Sequence, residues 1–416
     1  MEVGRSCIEL NLKDYSILLD CGVKVNRTVE VPNLPEQREV KYLFLSHAHL
    51  DHSGFVPRAN EKLGFESIYA TELTFETSHI LQKDLIKVAE KRNTPLPYTY
   101  DSIDQSVGKE VFLEYNKSVE IEGCVATLFD AGHIPGSSMI LFENLDDLSL
   151  MYTGDIKLIE TQLQRPAAIN KLPKIDVLIT ESTYGDRTHP NRKTLEQEFI
   201  DKVITILDKG GNVIVPAFAV GRAQEMMILL RDVPYPVYLD GMARDITRLY
   251  LQYPSYIKDY NLLKKAASAA NWIRDERDRK KAIREASVII TPAGMLNGGP
   301  ALSYIKKLRN DKKSAVFLTG YQVEHTNGRL LLEEGYVIDE KNSKINVKMQ
   351  VSFFDFSAHA GKNSLKRMVQ KLKPEKIIVV HGEEEKSMSL ANDLIDSGYK
   401  VYVPKVGDSI NLSKND

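Results

Sequence analysis

The stretch Ser46-His47-Ala48-His49-Leu50-Asp51-His52 decides how this sequence is interpreted, because it brings three imidazoles and one carboxylate together. It follows the short apolar run 42–45, which is typical of a buried strand. Side chains two residues apart in an extended segment lie on one side, so the first two histidines can bind one metal ion. The aspartate and the third histidine come at a predicted turn into a helix and can bind a second. A histidine-rich polar loop is the alternative, but HxHxDH directly after a strand favours a metal centre.

Two metal ions need more ligands than this stretch supplies, since a catalytic zinc takes about three or four nitrogen or oxygen ligands and keeps a position for water. Other candidate ligands are His133, Asp155 and His381, each of which follows a further predicted strand. Each alone is a weak signal, because Gly-Asp and His-Gly pairs are common in turns. Their shared position at strand ends predicts a common rim, where sheets covered by helices usually carry their chemistry.

The composition is that of a globular protein, with 43% hydrophobic and 27% charged residues in a chain of 416, enough for two or three domains. No apolar run is long enough to cross a membrane, and the N-terminus lacks the regions of a secretory signal, so we expect a cytoplasmic protein. A net charge of −2 gives no indication of a nucleic-acid binder, although a local basic surface is compatible with it. The three cysteines form no CxxC pair, which excludes a disulfide framework and a cysteine-based zinc site.

The pattern of predicted strands and helices changes twice along the chain. The first part is rich in predicted strands, and from about Tyr184 helical stretches alternate with strands, as in a parallel α/β unit. The charged segment 264–284 is expected to be a solvated helical face. The pattern predicts one domain interrupted by another, with limits at 1–184, 185–350 and 351–416.

Several segments together resemble a known family. Four of them are similar, in order, to the motifs of the metallo-β-lactamase superfamily: LDCG (19–22), SHAHLDH (46–52), AGHIPGSS (131–138) and TGD (153–155). Three more resemble motifs A, B and C of its β-CASP branch: TESTYG (180–185), FSAHA (356–360) and VHG (380–382). PAFAVGRAQE (216–225) is similar to the group with the nuclease subunit of the cleavage and polyadenylation specificity factor and its archaeal relatives. The resemblance covers essentially the whole chain and implies an α/β fold, an αββα metallo-β-lactamase sandwich with an inserted parallel α/β β-CASP domain.

The resemblance implies two Zn²⁺ per chain. The first would be held by His47, His49 and His133, the second by Asp51, His52 and His381, with Asp155 bridging both. A hydroxide between the metals would be the nucleophile, in keeping with the lowered pKa of a water shared by two cations. Asp20 would orient the ligands from behind, and the alternative is a carboxylate that closes a turn before Gly22.

A separate role falls to Glu181 and His359. The resemblance implies that the histidine protonates the departing oxygen of a phosphodiester and that the carboxylate orients it. The chemistry requires such a donor, because an alkoxide is a poor leaving group at neutral pH without a proton. A carboxylate beside a histidinium raises the pKa of the ring and so keeps it protonated.

RNA contacts are expected mainly from the inserted domain. Arg222 opens a predicted helix after a glycine, so its side chain and backbone amides can meet a phosphate. Gly294 and Tyr321 lie in glycine-rich loops at other strand ends, and Ser137 lies in the histidine-bearing loop 131–138. Tyr321 and Phe218 are candidates for stacking on bases, although for Phe218 packing in the core is the expected outcome.

These patterns predict a zinc-dependent ribonuclease that acts mainly on single-stranded RNA. The motifs leave the balance between internal cleavage and 5′–3′ exonuclease activity open, and members of the family often form homodimers. The rival interpretations are a hydrolase of small esters and an inactive scaffold subunit. The inserted domain and the Glu181–His359 pair argue against the first, and the filled ligand positions against the second.

The sequence also departs from its family at the N-terminus. The segment 2–6 comes almost at the start of the chain, whereas in relatives a further first strand usually precedes it. The resemblance further implies that the RNA-binding KH extension of some archaeal relatives is missing. Either the sheet edge differs or the true start of the protein lies upstream, and we expect modest sequence selectivity.

Overall fold

The computed structural model describes residues 2–25, 29–36 and 38–412. By their mutual contacts the residues divide into two compact units. The first comprises Met1–Glu160, Arg165–Thr188 and His359–Asp416, and the second, called the inserted unit below, comprises Thr161–Gln164 and His189–Ala358.

The elements up to residue 181 alternate short strands with a few helices. The strands are β1 (Ile8–Asn11), β2 (Ser16–Leu19), β3 (Lys24–Val25), β4 (Val29–Glu30), β5 (Val40–Phe44), β6 (Ser67–Ala70), β7 (Glu110–Phe112), β8 (Ser118–Ile121), β9 (Cys124–Asp130), β10 (Ser138–Leu145), β11 (Leu148–Tyr152) and β12 (Val177–Glu181). The helices are α1 (Leu50–Ser53), α2 (Val56–Leu63), α3 (Glu72–Arg92) and α4 (Tyr100–Val107), with a 3₁₀ turn at Ile169–Lys171.

The remaining elements alternate helix and strand more regularly. The helices are α5 (Arg192–Asp208), α6 (Arg222–Leu229), α7 (Ala243–Tyr250), α8 (Tyr260–Ala269), α9 (Glu276–Ala282), α10 (Gly299–Leu308), α11 (Asn327–Glu334), α12 (Lys362–Leu372) and α13 (Glu384–Asp396), with a 3₁₀ turn at Pro254–Tyr256. The strands are β13 (Val213–Pro216), β14 (Val237–Leu239), β15 (Asn271–Trp272), β16 (Val288–Thr291), β17 (Ala315–Leu318), β18 (Tyr336–Ile338), β19 (Lys344–Asn346), β20 (Gln350–Phe353), β21 (Lys376–Val380) and β22 (Lys400–Tyr402).

The first unit contains two sheets that pack face to face. One sheet has the order β1-β2-β5-β6-β7 and the other the order β22-β21-β12-β11-β10-β9-β8. Phe44 of the first sheet and Phe142 of the second meet edge to face in the core between them, with ring centroids 5.0 Å apart. The helices α2 to α4 cover the outer face of the first sheet, and α12 and α13 cover that of the second. The αββα sandwich predicted from the sequence is confirmed.

The burial of individual β-strands explains why these layers could be predicted from the sequence. β2 and β12 are buried at every position, as expected of strands covered on both faces. The helices carry local start signals: the Thr71 side chain accepts the Thr74 amide of α3, and Thr99 and Ser102 form a capping box on α4. β1 forms one edge of the first sheet by pairing with β2.

The inserted unit is a parallel α/β layer structure, as the alternating pattern predicted. Its sheet has the order β15-β14-β16-β13-β17-β20, and every pairing in it is parallel. Aromatic rings of Phe199, Phe317 and Phe354 pack together beside it. The charged segment 264–284 is not one solvated helix, because Asn271–Trp272 pairs with β14 and separates α8 from α9.

The inserted unit extends beyond the limit expected at residue 350. β20 hydrogen-bonds to β17 and so belongs to the sheet of this unit, which runs on to Ala358. On the other side, the first unit runs to Thr188 rather than to residue 184. The domain limits themselves stay a prediction. Among the residues that the structure describes, no helix is both long and apolar enough to cross a membrane.

Candidate metal centre

The candidate ligands of the first unit converge where its strands end. His47 and His49 follow β5, His133 follows β9, Asp155 follows β11, and His381 follows β21. Asp51 and His52 lie in the short helix α1. Their ligand atoms form overlapping groups within 4.8 Å of one another, one of His47, His49, His133 and Asp155 and another of His52, Asp155 and His381, with Asp51 grouped with His47 and His52. The structure thus brings together all seven residues that the sequence singled out.

A close backbone approach makes this convergence possible. Gly22, after β2, packs directly on the backbone of α1, and a Cβ there would lie 1.7 Å from the carbonyl oxygen of Asp51. Only glycine fits at this position. His381 itself has a φ of 49°, a left-handed conformation that costs a non-glycine residue free energy and is found mainly at functional sites.

The donor atoms of the centre fit a divalent cation. The Nε2 atoms of His47, His49, His52 and His381 and Oδ1 of Asp155 are buried and have no hydrogen-bond partner among the described residues. Buried polar atoms are nearly always hydrogen-bonded. Five buried atoms without a partner at one place therefore indicate that they bind a cation. Nitrogen and carboxylate oxygen are suitable ligands for zinc, and the described residues offer no sulfur at this place.

The spacing of these atoms points the same way. His47 Nε2 lies 3.4 Å from Asp155 Oδ2, and His52 Nε2 lies 3.4 Å from Asp155 Oδ1. Two ligands of a tetrahedral zinc with bonds of about 2.0–2.1 Å are separated by about 3.3–3.4 Å. Each carboxylate oxygen of Asp155 therefore faces a different set of histidines, which is the arrangement that a bridging ligand requires.

Burial and charge set the protonation of the ligands. Burial holds the pKa of His47 and His133 below the usual range and lowers that of His49 to about 3, so these rings are neutral and each keeps a lone pair for a metal. Burial also lowers the pKa of His52, but the carboxylates of Asp155 and Asp20 outweigh it and raise the pKa above the usual range. A cation bound at His52 would replace that proton, so metal binding there is expected to release a proton.

Asp20 lies directly behind the candidate ligands. It is fully buried, and its Oδ2 accepts hydrogen bonds from His52 Nδ1 at 2.7 Å, Ser46 Oγ at 2.7 Å and Tyr152 OH at 2.6 Å. Ser46 Oγ in turn lies 3.0 Å from His47 Nδ1. One carboxylate thus contacts the His52 ring directly and the His47 ring through Ser46, and its role in orienting the ligands stays a prediction.

Ser6 supports the other side of the centre, and sequence reasoning missed it. Its Oγ lies 2.8 Å from His381 Nδ1, and its backbone N–H donates to the Asp51 carbonyl at 2.9 Å. The residue therefore joins two candidate ligands of one metal position. None of the quoted motifs contains Ser6, whereas Ser46 belongs to the motif 46–52 and Tyr152 directly precedes the motif 153–155.

Replacing Ser6 by alanine is expected to weaken the binding of one of the two cations selectively. We expect about tenfold or greater loss of affinity at the position of Asp51, His52 and His381, because loss of such supports typically costs about 10- to 100-fold. Zinc titration by calorimetry checks this. Ser6→Thr keeps the hydroxyl and serves as the matched control. Equal losses at both positions, or none at either, would contradict the assignment.

Glu181 and His359 form a pair beside the ligands. Glu181 Oε2 lies 3.0 Å from His359 Nδ1, and Oε1 accepts the Ile156 N–H at 2.8 Å. His359 Nδ1 also lies 3.8 Å from Asp155 Oδ2. The buried Lys157 donates to the His359 carbonyl at 2.8 Å, a contact that holds the backbone of motif B and that sequence reasoning missed.

The exposure of these side chains shows where a substrate can enter. Most of the cluster is buried, but the side chains of Asp51 and His359 are 29% and 21% exposed, and His49 is partly exposed. Asp51, His359 and His49 are therefore the members of the cluster that solvent reaches.

The candidate RNA contacts lie in different environments. Ser137 is fully buried, and its Oγ accepts the backbone N–H of His133 at 3.3 Å, so it shapes the ligand loop. Arg222 is buried at the start of α6 and paired with Glu225. Gly294 and the partly exposed Tyr321 lie in loops after β16 and β17 of the inserted unit. An RNA contact at each of these four residues stays a prediction.

The expectation for Phe218 was wrong. Its side chain is 40% exposed instead of packed in the core. Cβ atoms built on Gly294 and Gly320 would lie 3.4 and 3.3 Å from its ring, so the two glycines form a floor on which the ring rests. Because neither glycine has a side chain, the ring lies close to their backbone, and 40% of the side chain stays exposed.

Comparisons with known proteins agree with this geometry. Residues 2–217 match the metallo-beta-lactamase superfamily, residues 223–331 the Beta-Casp domain, and residues 344–404 the Zn-dependent metallo-hydrolase RNA specificity domain. A protein of unknown function from Enterococcus faecalis V583 has a similar structure, with a TM-score of 0.62 over 99% of this chain and 97% of that one. Its identity is 14%, so this likeness shows the fold alone.

Three similar curated proteins come from archaea. The chain is 40% identical to Probable RNase MJ4 of Methanocaldococcus jannaschii, with 99% of this chain and 98% of the relative covered. It is 41% identical to RNase aCSPSF2 of Saccharolobus solfataricus, with 99% and 83% covered. It is 35% identical to Transcription termination factor FttA of M. jannaschii, with 99% and 70% covered.

Proposed function

We propose the function of this chain from its family, since the chain belongs to the metallo-β-lactamase superfamily and, within it, to the proteins that carry a β-CASP domain. The chain is a metal-dependent nuclease that hydrolyses RNA. Two relatives that match over most of their length are named RNases, and the C-terminal match is to an RNA specificity domain. In more detail, we propose that the chain binds two Zn²⁺ and that its substrate is single-stranded RNA.

The observation that carries this proposal is Asp155: its Oδ2 lies 3.4 Å from His47 Nε2 and its Oδ1 lies 3.4 Å from His52 Nε2, and neither nitrogen has a hydrogen-bond partner among the described residues. One position would be held by His47, His49 and His133, the other by Asp51, His52 and His381, with Asp155 shared. When bound, two Zn²⁺ would activate a water for attack and stabilise the negative charge that develops on the phosphate. The residues of the chain orient these ligands and supply the remaining proton.

His359 supplies that proton to the leaving oxygen. Its Nδ1 is held by Glu181, so the proton for transfer is the one on Nε2. Glu181 is fixed by the backbone N–H groups of Ile156 and Thr183, which keeps the ring in one orientation. The thiolate of a thioester leaves without a proton, whereas the alkoxide of a phosphodiester needs one, so this pair favours a phosphodiester over a thioester.

The rate is expected to fall at alkaline pH because His359 must be protonated. Burial lowers the pKa of His359, but the carboxylates of Glu181 and Asp155 outweigh it and raise the pKa to about 8. A raised pKa keeps the ring protonated below that value, so kcat should decline as the pH rises through it. Glu181→Gln removes one of these charges and should move the decline to lower pH.

The measurement is kcat against pH for both proteins, both saturated with zinc. Bound cations repel an imidazolium and shift both profiles in the same direction, so the difference between the two profiles is the diagnostic quantity. Profiles that coincide for wild type and Glu181→Gln would exclude His359 as the acid.

Digestion of RNA tests the proposed function directly. The zinc-loaded protein is incubated with single-stranded RNA carrying a label at the 5′ end or at the 3′ end. Internal fragments from both substrates indicate endonuclease activity, and mononucleotides released from the 5′ end indicate exonuclease activity. Absence of any RNA hydrolysis in protein with both metal positions filled would refute the proposal. Homodimer formation and a cytoplasmic location stay predictions.

A further inference from the structure

Four segments of the inserted unit meet at one edge of its sheet, which we call the amino edge. They are residues 208–212 before β13, 280–287 before β16, 308–314 before β17 and 347–349 before β20. The four strands are neighbours in the order β16-β13-β17-β20 and run parallel, so the segments before them lie side by side. Adjacent strands are about 4.8 Å apart, and the row is therefore about 15 Å long.

Backbone hydrogen bonds hold these segments together. The Val213 N–H donates to the Ser287 carbonyl at 2.9 Å, and the Gln350 N–H donates to the Ser314 carbonyl at 3.0 Å. The Asn212 side chain donates to the carbonyls of Ala282 and Glu285 at 3.0 and 2.7 Å. The amino edge is thus a continuous structure in which side chains keep fixed relative positions.

The amino edge is strongly basic although the chain is not. Of its 23 residues, eight are Lys or Arg and three are acidic, a net of five positive charges, whereas the whole chain has a net charge of −2. All eight cationic residues are exposed. The concentration of positive charge is therefore local and faces solvent.

These cations also lack the ion pairs that their neighbours have. In the part of the chain that the structure describes, none of the eight lies within 4.0 Å of a carboxylate, while Arg279, Lys306 and Lys307 just outside the segments each have an acidic partner. The acidic residues of the edge have other partners. Asp208 accepts from Tyr235 OH at 2.6 Å, and Asp311 accepts from Ser314 Oγ at 2.6 Å.

A row of unpaired like charges lowers the stability of the folded state by repulsion. A bound polyanion removes this repulsion and releases its own counterions, which favours binding without any sequence preference. An acidic protein would offer the same charge, but protein interfaces usually need buried apolar anchors. No large hydrophobic side chain of these four segments is exposed.

We propose that the amino edge binds the phosphodiester backbone of RNA, as an anchoring surface separate from the metal centre. The identity of the polyanion rests on the proposed function, in which RNA is the substrate. The anchor accounts for how a near-neutral chain retains RNA: it binds phosphates with Lys and Arg side chains at the end of the inserted sheet opposite to the loops of Phe218, Gly294 and Tyr321.

The test removes four of the charges and measures RNA binding. The amino-edge variant carries Arg284→Gln, Arg309→Gln, Lys312→Gln and Lys313→Gln. A matched control removes four exposed lysines of the first unit, Lys83→Gln, Lys87→Gln, Lys91→Gln and Lys109→Gln. Both sets are made in a His359→Ala background so that a labelled single-stranded RNA stays intact, and Kd is measured by fluorescence anisotropy over a series of salt concentrations.

We expect the amino-edge variant to bind RNA about tenfold or more weakly, because it neutralises fewer phosphates. The slope of log K against log salt should also shrink by about 0.7 for each phosphate that the variant no longer neutralises. Melting temperature reports that the variant is folded, and with His359 intact it should hydrolyse bis(p-nitrophenyl) phosphate at the wild-type rate. RNA affinity and salt slope equal to those of the control would overturn the proposal. Unchanged RNA binding with loss of polyglutamate binding would also overturn it, by assigning the edge to an acidic protein.

The two proposals can fail separately. RNA cleavage by the wild type together with unchanged RNA binding by the amino-edge variant would remove only the anchor. RNA binding that depends on the amino edge, in a zinc-loaded protein that cleaves no RNA, would support the anchor and refute the nuclease.

Discussion

Asp155→Ala is expected to abolish RNA hydrolysis and to empty both metal positions. Oδ2 of Asp155 lies 3.4 Å from His47 Nε2 and 3.6 Å from His133 Nε2, while Oδ1 lies 3.4 Å from His52 Nε2 and 3.6 Å from His381 Nε2. Its removal leaves three histidines at one position and two histidines with Asp51 at the other, with no shared negative charge. Metal ions supply several kcal/mol of transition-state stabilisation, so kcat should fall by about 10³-fold or more.

The measurements are zinc per chain after dialysis and the initial rate of RNA cleavage. Asp155→Asn keeps the shape of the side chain and tests whether the loss comes from charge rather than from packing. Asp104→Ala, at an exposed position of α4, is the matched control and should keep both zinc and activity. An Asp155→Ala protein that holds two zinc ions and cleaves RNA would remove the central premise of the proposed function.

His359→Ala should separate chemistry from metal binding. Loss of a general acid typically costs about 10²- to 10⁴-fold, and we expect kcat for RNA to fall by that amount with zinc content unchanged. The ring is held by Glu181 and is grouped with Glu181 and Asp155, apart from the six other candidate ligands of the two proposed metal positions. The defect should nearly vanish for a p-nitrophenyl phosphodiester, because p-nitrophenolate leaves without a proton.

The contrast between the two substrates is what makes this experiment decisive. A structural defect in His359→Ala would slow both substrates alike, whereas loss of an acid slows only RNA. His325→Asn is the control, since this exposed histidine has a φ of 63° and asparagine tolerates that conformation. Equal slowing of both substrates, or full RNA activity in His359→Ala, would contradict the role assigned to the ring.

The relation between sequence and structure differs from residue to residue. The ligands could be found because each follows a short apolar strand, and strands of one sheet end at a common rim. Asp20 could be found because its motif directly follows β2. Phe218 could not be placed, since a Phe in an apolar stretch looks like a core residue until the two glycines beneath its ring are known.

The extent of the inserted unit needed the structure as well. Residues 351–353 read like any short strand, and nothing local shows which sheet that strand joins. Its hydrogen bonds to β17 place it in the inserted unit. The amino edge also needed the structure. Its eight cations lie in four separate segments of the sequence, and only the order of the strands makes them neighbours.

By itself, the sequence determined the fold class, the candidate ligands and the acid pair, because strand periodicity and short motifs are local and survive without coordinates. Only the tertiary structure decided which atoms meet. Ser6 and His381 lie 375 residues apart in the chain and yet make a hydrogen bond of 2.8 Å. Such contacts depend on how both sheets pack, and packing is a property of the whole chain that no single segment encodes.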